Sequence, residues 1–122
     1  MITKHDIPQL AIGHMGMESA SVPATVRFFD DLGARVVMSQ DAFAIVELRG
    51  GTHVVIRGVH DAPKSPSFDL MVDDVLAVRD GFERQGYRPS KIRRGGVHES
   101  FHVEEPGGTT LTFTSSHAMG RV

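Results

Sequence analysis

One phrase occurs twice in this chain, and it constrains the fold more than any other feature. Gly50-Gly51-Thr52-His53-Val54-Val55-Ile56 returns 57 residues later as Gly107-Gly108-Thr109-Thr110-Leu111-Thr112-Phe113. Each copy is a Gly-Gly turn followed by a segment of period-two alternation rich in Thr and Val, the pattern of a hairpin turn feeding a half-buried strand. A chain of 122 residues holds one ordinary domain, so the repeat implies two half-domains. If they pack about a pseudo-twofold axis, the two strands face each other, and function is expected in the space between.

Taken in order, residues 1–9, with their charged cluster and Pro8, are expected to be an N-terminal extension. A first module spans 10–59. Ala11 to Glu18 alternates, with Met15 and Met17 on one face and His14, Gly16 and Glu18 on the other. Ser19 and Ser21 offer caps for a helix in which Pro23 suits the first turn, Val22, Val26 and Phe29 form the inner stripe, and Gly33 ends the run. Strands are expected at Arg35–Ser39, Ala42–Leu48 and Thr52–Val59. Residues 60–66, with two prolines, read as a linker. A second module then spans 67–116. Phe68, Leu70 and Val72 alternate with Ser67, Asp69 and Met71, and Asp73 or Asp74 caps a helix with the stripe Val75, Val78, Phe82, closed by Gly86. Further strands are expected at Lys91–Arg94, Ser100–Glu105 and Thr109–Thr114. Phe29 to Gly33 and Phe82 to Gly86 are the same step, and they set the two modules 53 residues apart. A polar tail, 117–122, follows. The fold class is therefore α+β: two βαβββ modules.

Composition narrows the partners. The net charge is −2 and no long run of one sign occurs, which excludes a nucleic-acid footprint and a polybasic membrane surface. Without cysteine there are no disulfides, thiolate metal sites or Cys nucleophiles. The first residues lack the apolar centre of a signal peptide and no apolar run reaches membrane-spanning length, so a cytoplasmic location is expected.

Ile12-Gly13-His14 opening a strand, Phe28-Phe29-Asp30-Asp31-Leu32-Gly33, Val72-Asp73-Asp74-Val75 and Glu105-Pro106-Gly107-Gly108 together resemble the vicinal oxygen chelate superfamily of glyoxalase I, extradiol dioxygenases and bleomycin- and fosfomycin-resistance proteins. The resemblance covers about Leu10 to Ser116. It implies a curved mixed sheet around a cup, helices on the outer face, and a homodimer. Metal-dependent members carry ligands on the first and last strand of each module, and the matching positions here are His14, Val55, Ser67 and Thr112. Only His14 is a strong ligand, and a divalent ion needs three or four nitrogen or carboxylate donors. No cofactor is therefore expected. If a divalent metal bound, His14 would hold it, with His53 and Asp69 or His102 as rearranged co-ligands.

Alternation assigns the remaining candidates. Phe43, Ile45, His53, Val55, Arg57, Met71 and His102 fall on the cup face, with Thr110, Thr112 and Thr114 as hydroxyl contacts. The cup is thus apolar and Thr-lined, the composition of a small-molecule site. Asp69, with His14 as partner, is the candidate for metal-free proton transfer, while Glu18 reads as a solvated strand end and Arg57 as a partner for Asp69. His98-Glu99-Ser100-Phe101-His102 matches a zinc-peptidase pattern that requires a helix. On a strand its two His would stand about 13 Å apart, so the match is taken as coincidence.

The expectation is a glyoxalase- and bleomycin-resistance-like protein that binds a small organic ligand without metal, as a cytoplasmic homodimer. The alternative is an enzyme of the same superfamily: a lyase, isomerase or dioxygenase with a rearranged metal site, or a metal-free catalyst using Asp69 and His14.

Overall fold

The computed structural model describes residues 7–122, so most of the expected extension 1–9 lies outside the described residues. Strand β1 (His14–Ser19) leads into helix α1 (Val22–Asp31), followed by β2 (Arg35–Ser39), β3 (Phe43–Glu47) and β4 (His53–Gly58). The order then repeats as β5 (Leu70–Val72), α2 (Val75–Arg84), β6 (Arg93–Arg94), β7 (Glu99–Glu104) and β8 (Thr110–Ser115). Both helices begin and the last strands begin and end at the offsets of the repeat, 53 and 57 residues.

Each module makes its own four-stranded sheet, in the order β1-β4-β3-β2 and β5-β8-β7-β6. β1 runs parallel to β4 and β5 to β8, and the other neighbours are antiparallel, so both sheets are mixed. The α+β class with two similar modules is therefore observed. The first and fifth strands start later than alternation predicts, at His14 and Leu70, where their pairing with β4 and β8 begins; Ile12, ahead of β1, is exposed. Asp69, expected in mid-strand, stands just ahead of β5.

Both helices follow the predicted chemistry. Pro23 sits in the first turn of α1, where its missing N–H costs no hydrogen bond. Asp74 is the residue that caps α2, accepting from the Ala77 amide at 3.0 Å. Each helix closes on a glycine with positive φ, Gly33 at 97° and Gly86 at 94°, followed by a backbone bond from Ala34 to Phe29 and from Tyr87 to Phe82 at 3.0 Å.

A single core lies on the helix side of both sheets. Phe28 of α1 stacks on Phe82 of α2 with ring centres 5.4 Å apart, and Phe82 stacks on Phe113 at 5.3 Å. Val46, Val54 and Ile56 of the first sheet and Phe101, Val103 and Leu111 of the second complete it, all buried. Burying one such side chain contributes about 1.5–3 kcal/mol. The helices thus meet each other, and the opposite face of each sheet is left open to whatever else approaches.

Candidate functional site

The open face of the first sheet carries most of the predicted residues, and backbone register explains how they meet. Arg35, Glu47, His53 and His14 stand at one level across β2, β3, β4 and β1. Arg35 donates to Glu47 at 2.6 Å, His53 Nε2 donates to the other Glu47 oxygen at 3.0 Å, and the His14 ring meets the His53 ring edge-on with centres 5.8 Å apart. Phe43, Ile45 and Val55 follow on the same face, half-buried, with Ile45 and Val55 directly opposite each other. At the far end Arg57 donates to Glu18 at 3.2 Å. The backbone amide of Lys64 also donates to Glu18, at 2.9 Å. That bond is the main reason the Glu18 carboxyl titrates below its ordinary range; partial desolvation opposes it and Arg57 assists. The face is thus an apolar strip between two polar ends, with about 13 Å from His53 to Arg57 along the strand.

On the second sheet, His102 and Thr112 are direct cross-strand partners, and Thr110 stands opposite Glu104. Thr114 is buried and donates to the Glu99 carbonyl at 3.3 Å. Met71 and Asp69 are exposed. Asp69 and His14 share no hydrogen bond, and Arg57 is paired with Glu18 instead of Asp69. His102 lies on extended β7, so the peptidase-like pattern does not sit on a helix.

Two groups went unnoticed in the sequence. Glu47 was legible, since it continues the alternation of Phe43 and Ile45. The second is a cavity of about 700 Å³ at a junction between the modules, on the helix side, where Asp69 and Met71 join Met15, Leu48, Val72 and Val78.

Solved structures place this architecture. The bleomycin-binding protein of Streptomyces verticillus, solved with copper(II)-bleomycin, superposes with a TM-score of 0.68 at 20% identity, covering 90% of this chain and 99% of that one. Lactoylglutathione lyase from Agrobacterium tumefaciens gives 0.76 at 15% identity over 94% and 100%, and a possible glyoxalase from Bacillus cereus 0.70 at 20% over 85% and 97%. This is the vicinal oxygen chelate fold. No protein-family model and no curated protein matches the sequence.

Whether the metal often used by proteins of the vicinal oxygen chelate fold would fit here is decided by the donors. At the matching positions Val55 has no donor atom and Ser67 and Thr112 offer only hydroxyls. Glu47, the carboxylate beside the His pair, already holds His53 and Arg35. Among the described residues no three His, Asp or Glu side chains are grouped to hold an ion. The residues do not fit a transition metal.

Proposed function

We propose that this chain binds a small organic molecule by affinity alone, on the open sheet faces. The observation that carries the reading is the half-buried strip of Phe43, Ile45 and Val55, closed at one end by the His53–Glu47 pair and at the other by Arg57–Glu18. Apolar area with a few oriented polar groups is what holds and orients an organic ligand. His14, Asp69, Met71, His102, Thr110 and Thr112 are the further contacts in this reading, with hydroxyls and imidazoles meeting polar substituents. The likeness to a bleomycin-binding protein supports it.

The cup is proposed to form across a homodimer. Because Phe28 stacks on Phe82, the helix sides of both modules are used within the chain. The strip on residues 10–59 of one copy is then completed by the Thr-lined face on residues 67–116 of the other. No helix among the described residues is long and apolar enough to cross a membrane, and the cytoplasm is the proposed place of action.

The test is thermal unfolding with a panel of metal-free organic drugs, bleomycin included, together with sedimentation to read oligomeric state. A ligand present at about 100 times its Kd adds about 2.7 kcal/mol of stability. The expected result is a dimer with a raised Tm, and loss of the shift in Val55→Asp and Ile45→Asp. Shifts that survive both substitutions, or a strict monomer with an unchanged Tm throughout, would overturn the reading.

A further inference from the structure

The two module junctions are related by the repeat but are built differently. At the first, the turn of the second module is clamped onto the first module. Glu105 accepts from the Thr25 hydroxyl and from its own turn amides at Gly107 and Thr109, Ser19 bonds Thr25 at 2.7 Å, and the Ala20 amide donates to the Gly107 carbonyl at 2.8 Å. Ser19, Thr25 and Glu105 are all at most 2% exposed. A side chain on Gly107 would overlap Thr25 Oγ1 and Ser19 Oγ.

The offsets of 53 and 57 name the counterparts at the second junction: Val72 for Ser19, Val78 for Thr25, Leu48 for Glu105, Gly50 for Gly107 and Thr52 for Thr109. Within the modules the copies still agree. Val59 N–H bonds the Ser19 carbonyl and Ser116 N–H bonds the Val72 carbonyl, at 2.9 and 3.1 Å. Across the junction they do not. No counterpart of the Ala20–Gly107 bond joins the modules among the described residues. Thr109 reaches across to the Glu18 carbonyl, whereas Thr52 turns back to the Ile12 carbonyl of its own module at 2.6 Å. Gly50 takes φ of 83°, which turns its peptide away from the arrangement at Gly107, and a Cβ there would meet nothing within 4 Å. Leu48, Val72 and Val78 are only half-buried and all three line the 700 Å³ cavity.

We infer that this open junction is a second small-molecule site, sharing with the sheet-face reading only Asp69 and Met71 at the margin of β5, for an amphipathic molecule with an apolar body and one anionic group. The body is selected by Leu48, Val72, Val78, Met15, Phe29 and Phe113, which offer no hydrogen bonds from their side chains. An apolar-walled cleft is filled favourably by apolar matter, and this volume is that of a drug-sized ligand. Two charged residues line the cavity, Arg49 and Asp69; the anionic group is placed by Arg49, whose side chain is 62% exposed with only a 3.8 Å contact to Asp73. An ion pair so long and so wet is readily exchanged for a ligand anion.

The probes are 1-anilinonaphthalene-8-sulfonate and its uncharged relative N-phenyl-1-naphthylamine, followed by fluorescence titration and by methyl NMR of the native protein. Expected are one site per chain and shifts at Met15, Leu48 and Val78. Filling the cavity with Val78→Phe, or independently Leu48→Phe, weakens both probes about tenfold or more while the unfolding transition stays cooperative. Arg49→Gln weakens the sulfonate about fivefold and leaves the neutral probe unchanged. Shifts at Ile45 and Val55 in place of Leu48 and Val78 would assign the probes to the sheet face and overturn this site. So would binding indifferent to both filling variants, or a folded protein that takes up neither probe. Equal loss of both probes in Arg49→Gln would overturn the anionic preference.

Discussion

The hydroxyl of Thr25 reaches both carboxylate oxygens of Glu105, at 2.9 and 3.0 Å, across 80 residues of sequence. Thr25 has one proton to give and gives it to Glu105, so Ser19 must donate to Thr25, while Ser19 itself accepts from the Ser21 amide at 3.0 Å. The chain of donors runs from the start of α1 in one module to a buried carboxylate in the other. A fully partnered buried network of this kind fixes one arrangement of the two halves.

Burial pushes the Glu105 carboxyl above its ordinary value of 4.5, while the Gly107, Thr25 and Thr109 donors pull it back only in part. The folded protein therefore keeps a proton on Glu105 at pH values where the unfolded chain has released it. This contribution to stability is complete below about pH 4.5 and is lost as pH rises through the folded-state pKa. Glu105→Gln cannot titrate, so the difference between its stability and that of the wild type should change with pH over that window and level off on either side. Urea midpoints taken across pH 4 to 8 read it; parallel profiles would refute the assignment.

Gly107 and Gly50 should respond differently to alanine. A methyl at Gly107 collides with two hydroxyls and the Glu105 carboxylate, so the latch must open. Overpacking alone costs about 1–3 kcal/mol, and stranded buried donors add about 1–3 kcal/mol. At Gly50 there is room, and only the left-handed backbone is penalised, by about 1–2 kcal/mol. Chemical denaturation should rank Gly107→Ala well below Gly50→Ala; the reverse order would mean that the clamp contributes little.

Phe82 joins the two helices and the second sheet, touching Phe28, Tyr87, Phe101 and Phe113 through ring contacts of 5.3 to 6.1 Å. Phe82→Ala should cost about 3–5 kcal/mol, a large part of the roughly 5–15 kcal/mol available to a domain. Leu76, on the same helix but 57% exposed, should cost under about 1 kcal/mol when changed to Ala. Comparable losses at both positions would show that the ring cluster is not the centre of the fold.

The His14–His53 pair presents two imidazoles, and among the described residues no third His, Asp or Glu is grouped with them to hold an ion. Elemental mass spectrometry after loading with Zn, Mn, Ni or Fe(II) and dialysis should find no stoichiometric metal, in the wild type or in His14→Ala. One metal per chain that disappears with His14 would overturn this.

Much of the fold was legible because the duplication keeps a few anchor positions, Val22 and Val75, Phe29 and Phe82, Gly33 and Gly86, in the same step. The steps from Phe29 to Gly33 and from Phe82 to Gly86 set the register of both helices, and parity put Val54, Ile56, Leu111 and Phe113 inside. The grouping of His14 with His53 required knowing that β1 and β4 pair in parallel with those residues opposite, which alternation within one strand cannot reveal. Glu105 looked like a turn residue, and its burial depends on Ser19 and Thr25, far away in sequence. The cavity was invisible for a related reason: it arises where Leu48, Val72 and Val78 stand in for a polar set, and only the packed junction shows that their side chains do not close the gap.

The strand margins have a consequence for self-association. One rim of the first sheet is β2, which begins at Arg35 and breaks register between Val36 and Met38; one rim of the second is β6, two arginines long. Bulges, short runs and cationic side chains all disfavour adding another chain's strand by backbone hydrogen bonds. At these two rims the chain therefore carries built-in protection against open-ended, fibre-like growth.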